Sequence, residues 1–312
     1  MKLKEISVTS IGNVKIGQTE DKKAMTGVTV IVAPEGAPCG LDIRGGGPAG
    51  RESGLLDPLA AAEVIHSVVL GGGSAFGLEA ASGVMQYLSE HKIGFPVGDV
   101  VVPLVCQSDI FDLGIGRSDV YPDKSMGYKA TELAFKKNGN YKDGSVGAGC
   151  GATVGKLLGA DRCWKSGIAS YAVELGELKV GAIICTNAIG DVYDAKNGKR
   201  IAGVKNEKGT GLNKVSSEEL LYDMFVKPPV GMTTNTTIGI ILTNAKFNKT
   251  QLCKLAGMGH DGYARSIRPV HTSMDGDSIY AMSLGDVEAS LDVVGTLANH
   301  VICEAIKRSV EV

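Results

Sequence analysis

The chain has 312 residues, a net charge of −2, and 44% hydrophobic and 21% charged residues, the balance of a folded protein large enough for one sizeable core or two intimately packed layers. No run of like charges and no basic excess gives a footprint for nucleic acid or a membrane surface, so neither is expected as a partner. The opening MKLKEISVTSIG lacks the apolar core of a signal peptide, and no stretch reaches about eighteen uninterrupted apolar residues, so a cytoplasmic location is expected.

Along the chain, Ile6 to Val14 and Met25 to Ala33 are predicted as strands, the second a β-branched run ending at a proline. A turn-rich stretch with Arg44 and Arg51 follows, and Asp57-Pro58 marks the start of a predicted helix reaching His66. Gly71 to Gly73 then open a second helix, with Ala75, Leu78, Ala81, Val84, Met85 and Leu88 at helical spacing. A glycine-rich loop before a helix suits an anion or a phosphate. Neither GGGPAG nor GGGSAFG has the GxGxxG register of a dinucleotide site, however. SVGAGCGATVGKLLG fails as a phosphate loop because Cys150 and Leu157 stand where glycine and a magnesium-binding hydroxyl are required. What survives is a glycine-lined strand or turn that delivers Lys156 into a confined place, where it donates to an anion or sets a neighbouring amine's pKa, unless it is a solvated surface lysine.

Leu178 to Thr186 is a nearly continuous apolar run, the mark of a central buried strand, and it ends at Asn187. An amide fixed there is either an oxyanion donor or part of an Asx turn before Gly190. Residues 197–229 are polar and are expected as an exposed, mobile surface segment, an approach that suits a cleavage site. It leads to Asn235-Thr236 and the apolar run Ile238, Ile240, Ile241, Leu242, a predicted buried strand. A hydroxyl at the head of a buried strand is explained if the chain is cut before Thr236. The freed α-amine, with a pKa near ~7.7 to 8.0, then serves as base for that residue's own hydroxyl. The alternative is a threonine-rich loop feeding an ordinary strand. Lys249 to His260 is a predicted helix. Asp275 and Asp277 flank Gly276 before a strand over Ile279 to Met282, either as a pair that orients an amine and carries a proton or as an exposed DGD turn. The seven scattered cysteines form no CxxC pair, so reduced, mostly buried thiols are expected rather than disulfides or a zinc site. The 43 glycines exceed the usual share of about 7% and mark many tight turns.

Five segments, NTTIGIILTNA, GGGSAFGLEAASGVM, VGAGCGATVGK, TNAIGDV and RPVHTSMDGDSIYAM, together resemble the P1 peptidase family, also called DmpA or S58. It includes L-aminopeptidase/D-esterases, β-peptidyl aminopeptidases and 6-aminohexanoate-oligomer hydrolases. The resemblance runs from Gly12 to about Glu304. It implies an α/β fold, a four-layer αββα sandwich akin to N-terminal-nucleophile hydrolases and ornithine acetyltransferases, formed by residues 1–312 as one domain. It further implies autoproteolysis between Asn235 and Thr236, giving an α chain of residues 1–235 and a β chain of residues 236–312, with Thr236 as nucleophile. By the same resemblance Asn187 serves the oxyanion, Lys156 matches an active-site lysine, and Asp275 and Asp277 match the acidic pair. Phe111 falls near a tyrosine of several relatives and, with Ser74 in the Gly71 to Phe76 loop, is expected on the substrate side. No metal or organic cofactor is implied. The implied partners are a small amide or peptide substrate and further copies of the chain, in a tetramer of α/β pairs. An acyltransferase of the ornithine acetyltransferase type and an unprocessed, non-catalytic binding relative are the competing readings.

Overall fold

In the computed structural model, which describes residues 2–137, 139–225 and 235–312, the β-branched runs become the inner strands of two stacked sheets. The sheet strands in chain order are β1 (Lys4–Ile6), β2 (Lys15–Asp21), β3 (Thr26–Ala37), β4 (Cys39–Ile43), β5 (Ala49–Arg51), β6 (Ile65–Gly71), β7 (Val105–Asp109), β8 (Ile168–Leu175), β9 (Leu178–Cys185), β10 (Ile238–Ala245) and β11 (Ser278–Val287). The first sheet has the order β1-β8-β9-β10-β11-β4 and the second β2-β3-β6-β7-β5. Neighbours are antiparallel except β10 with β11 and β6 with β7, which are parallel.

Side chains of a strand alternate between its two faces, so a strand covered on both sides is apolar at every position. In β10, Ile238, Ile240 and Leu242 enter the core between the sheets, while Ile241 points into the core beneath the outer helices. In β3, Ile31 and Ala33 face the other sheet and Val28, Val30 and Val32 face helices. Helices α1 (Ala80–Glu90) and α2 (Lys124–Phe135) cover the second sheet, and α3 (Lys249–Ser266) and α4 (Leu291–Ser309) cover the first. The result is the expected four layers, helix, sheet, sheet, helix. Five of the seven cysteines are buried and all seven are free thiols. Among the described residues no helix is long and apolar enough to cross a membrane.

Two elements differ from expectation. Ile6 to Val14 is not one strand: after the short β1, Val8–Ser10 forms a 3-10 turn capped by the Ser7 side chain. Residues Asp57 to Val64 form no helix, and Ile65 and His66 open strand β6. The carbonyls of Leu55, Ala60 and Ala62 accept hydrogen bonds from Lys249 Nζ, so side-chain donation takes the place of helical amides.

The polar surface segment is anchored rather than loose. Fully buried Asp191 accepts from Val204 N (2.9 Å), Ser217 Oγ (2.7 Å), Ser217 N (2.8 Å) and Arg200 Nη1 (3.1 Å). A capping box between Ser216 and Glu219 starts the short Ser217–Asp223 helix. The last part of the expected approach to the cut, residues 226–234, lies outside the described residues.

Candidate active site

The strand register gathers the site. Ile238 pairs with Cys185 on one side and with Ser278 on the other, so the end of β9 and the starts of β10 and β11 lie abreast. Asn187, Thr236 and the Asp275–Asp277 turn therefore meet at one end of the first sheet. Thr236 is only 4% exposed. Its N–H donates to the Asn187 carbonyl at 3.0 Å, and its hydroxyl donates to the carbonyl of Asn235, the residue before it. That same carbonyl accepts the Gly276 N–H at 2.8 Å. The Thr236 hydroxyl is thus seated against the peptide carbonyl ahead of it, and a backbone N–H donates to the same carbonyl oxygen.

Lys156 is 8% exposed and reaches the same point from the loop after the Thr153–Val154 strand. Its Nζ donates to Asn187 Oδ1 at 2.6 Å and to the Asn187 carbonyl at 3.1 Å. Burial pushes its pKa down to about 8, because a buried ammonium loses hydration. Lys156 Nζ and Thr236 N therefore share one acceptor, the Asn187 carbonyl. The Asn187 amide is oriented differently from the expected oxyanion donor. Its Nδ2 donates to the Phe111 carbonyl at 3.0 Å, and its Oδ1 also takes the Thr153 N–H at 3.1 Å. In this structure the N–H on the Asn235 carbonyl is that of Gly276. Phe111 touches the cluster through its carbonyl, and Ser74 is linked to it by donating its N–H to the neighbouring Ile110 carbonyl at 3.0 Å.

The two aspartates are buried, 1% and 0% exposed, which removes the exposed-turn alternative. Asp275 accepts Thr272 Oγ1 at 2.6 Å, Thr272 N at 3.0 Å and Ile189 N at 3.4 Å. Burial first and the Asp277 charge second raise its carboxyl to about 6. Asp277 accepts the Thr237 N–H at 2.7 Å through Oδ1, and the His271 N–H and ring Nδ1 at 3.1 and 2.8 Å through Oδ2.

Sequence reasoning missed two buried carboxylates beside the glycine-rich loop. Asp112 accepts the Gly73 N–H at 2.8 Å, and a Cβ on Gly72 would lie 2.0 Å from Asp112 Oδ2. A Cβ on Gly71 would lie 2.3 Å from Asp109 Oδ1. Burial raises the Asp112 carboxyl to about 6 and drives that of Asp109 well above the usual range. The glycines of a loop whose kind suits an anion thus admit the protein's own carboxyl groups. The only signal was the pair of acids in SDIFDLG, which looks like a surface turn. Among the described residues no group of three or more His, Cys, Asp or Glu side chains could hold a metal ion.

Helices thus lie outside two packed sheets, and a buried threonine stands just ahead of a central strand. The family model for peptidase family S58 matches residues 7–312. The chain belongs to peptidase family S58. It is 37% identical over 298 residues, 91% of this chain and 80% of the relative, to a Mycobacterium leprae protein named as an uncharacterised aminopeptidase. It is 30% identical over 312 residues, 94% of this chain and 82% of the relative, to the 6-aminohexanoate-oligomer endohydrolase of a Kocuria species. Among solved structures, the L-aminopeptidase D-Ala-esterase/amidase of Ochrobactrum anthropi has the same fold, with a TM-score of 0.70 at 16% identity over 97% of this chain and 85% of that one.

Proposed function

We propose that the chain cuts itself between Asn235 and Thr236 and then hydrolyses amide bonds of small peptides or ω-amino acid amides, with Thr236 as nucleophile. The observation that carries this reading is the Thr236 hydroxyl resting on the Asn235 carbonyl while the Gly276 N–H holds the same oxygen. In the cut, Thr236 Oγ1 bonds to the Asn235 carbonyl carbon, the carbon–nitrogen bond to Thr236 breaks, and the hydroxyl proton ends on the freed amine. Water hydrolyses the resulting ester. Residues 1–235 and 236–312 remain as two chains of one fold.

In turnover the Thr236 amine takes the proton from its own hydroxyl as Oγ1 attacks the substrate carbonyl. The substrate's amine leaves, and water releases the acyl group. The Gly276 N–H, freed of Asn235, serves the new oxyanion. Lys156 shares the Asn187 carbonyl with the Thr236 nitrogen, and a cation there keeps the α-amine from holding a proton, as a base requires. Amide substrates are supported by the aminopeptidase and the oligomer endohydrolase among the relatives. The test is the intact mass of the denatured wild-type protein beside Thr236→Ala, followed by assay of both on amino acid and 6-aminohexanoate amides. Two pieces breaking before Thr236 in the wild type, one uncut chain in the variant and activity only in the first are expected; a wild-type chain that stays whole refutes the reading.

A further inference from the structure

His271 lies in the motif RPVHTSMDGD and has no part in the chemistry above. Its φ of 57° is in the left-handed region, uncommon outside glycine though entered more readily by asparagine, aspartate and histidine, and such conformations persist where surrounding contacts fix them. The contacts are these: the His271 N–H and its ring Nδ1 both engage one oxygen of Asp277, at 3.1 and 2.8 Å. The other oxygen of that carboxylate takes the Thr237 N–H at 2.7 Å. From α3, His260 meets the His271 ring nearly edge-on at 4.6 Å and Tyr263 stacks at 6.0 Å. His260 is itself fixed, with Nε2 3.1 Å from the Asp42 carbonyl. A side chain locked by packing and aimed at a carboxylate is the arrangement that holds a reactive group within narrow tolerances.

We propose that His271 is a positioning residue: by clamping Asp277 from two donors it fixes both the Thr237 amide and the adjoining Gly276 N–H, and so aligns the Asn235–Thr236 peptide for cutting and the nucleophile for turnover. This rests on the function proposed above. Asp277 follows Gly276 directly and bonds the residue after Thr236, so its displacement shifts the oxyanion donor and the nucleophile's strand together.

Three variants test the clamp. His271→Asn tolerates left-handed backbone and puts an amide NH2 where ring Nδ1 stood. His271→Gly relieves the backbone and removes the side-chain donor. His271→Gln carries its NH2 one bond further out. For each, the self-cleavage rate constant is measured, and kcat and KM are determined on an amino acid p-nitroanilide. The Gly and Gln variants are expected to lose about a hundredfold in self-cleavage rate and in kcat with KM little changed, the size of effect that misplacement by about 1 Å produces, and Asn is expected to restore most of both. A Gly variant that cuts and turns over like the wild type, or an Asn variant as slow as Gly and Gln, overturns the clamp. Should Gly prevent folding, the comparison of Gln with Asn decides on the same terms. A wild-type chain that never cuts sinks the proposed function and the clamp with it, whereas a wild type that cuts beside an equally fast Gly variant sinks the clamp alone.

Discussion

Replacing Gly276 with alanine perturbs the point where the Asn235 carbonyl proposed for cleavage, its backbone donor and the Thr236 hydroxyl meet. A Cβ there would lie 2.7 Å from the Gly47 carbonyl oxygen, 2.8 Å from Thr236 Oγ1 and 3.1 Å from Pro48 Cα, where ordinary contact begins at 3.4 Å. Two of these three atoms are backbone and yield little. The 275–277 turn must therefore move by about 0.7 Å, enough to spoil an attack geometry in which about 1 Å costs about a hundredfold. Displacing the turn also pulls the Gly276 N–H off the Asn235 carbonyl, and losing one such donor costs about 3 kcal/mol of transition-state stabilisation. Self-cleavage of Gly276→Ala should be at least about a hundredfold slower than wild type. The assay is a time course of freshly refolded chain followed by denaturing electrophoresis and intact mass, with circular dichroism to confirm the fold. Cutting at the wild-type rate in a folded variant would refute the assignment of Gly276 as the oxyanion donor.

The titrations of two buried groups set opposite slopes of stability with pH. Asp275 holds its proton to about 6 in the folded chain, against 3.8 ordinarily. The stability it contributes is full below that lower value and is lost as pH rises through about 6, so Asp275→Asn should flatten the fall in melting temperature over this window. Lys156 has its pKa lowered from 10.5 to about 8. Stability should fall as pH drops from 10.5 toward 8, and Lys156→Met should remove that slope. Both are measured in the uncut Thr236→Ala background. Lys249→Met strands the carbonyls of Leu55, Ala60 and Ala62 and should cost about 3 kcal/mol in urea unfolding, with faster proteolysis in residues 55–64; unchanged stability would refute that role.

Strands buried on both faces were legible because both their layers demand apolar side chains. The run from Leu178 ends one residue earlier than read, and β10 begins at Ile238 as read. The helix from Lys249 was also legible, though it continues to Ser266 because Tyr263 and Ser266 still pack inward. The helix read into Asp57 to His66 failed for a long-range reason. Its cap, proline and alanines are local signals, but Lys249, nearly two hundred residues away, satisfies the loop's carbonyls. At the site, the residues with reactive side chains were legible as types at strand ends. The Gly276 N–H was not, because a backbone donor has no letter of its own. His271 was hidden for a different reason: its role depends on a φ of 57° and on Asp277 lying within reach.

The interior position of β10 has a consequence for how a chain cut before Thr236, as proposed above, would persist. Residues before Asn235 contribute β1, β4, β8 and β9 to the first sheet, and residues after it contribute the inner pair β10 and β11. Before the cut, folding is a first-order event whose rate is indifferent to dilution. After such a cut, an unfolded molecule would consist of two chains that must find one another, and recovery would become second order in protein. The short chain cannot complete a sheet alone, and the long one is left with a gap at its centre. The native assembly is then kept by the height of its unfolding barrier more than by any balance with the unfolded state. The lifetime of a molecule so cut would thus be a memory of having folded first.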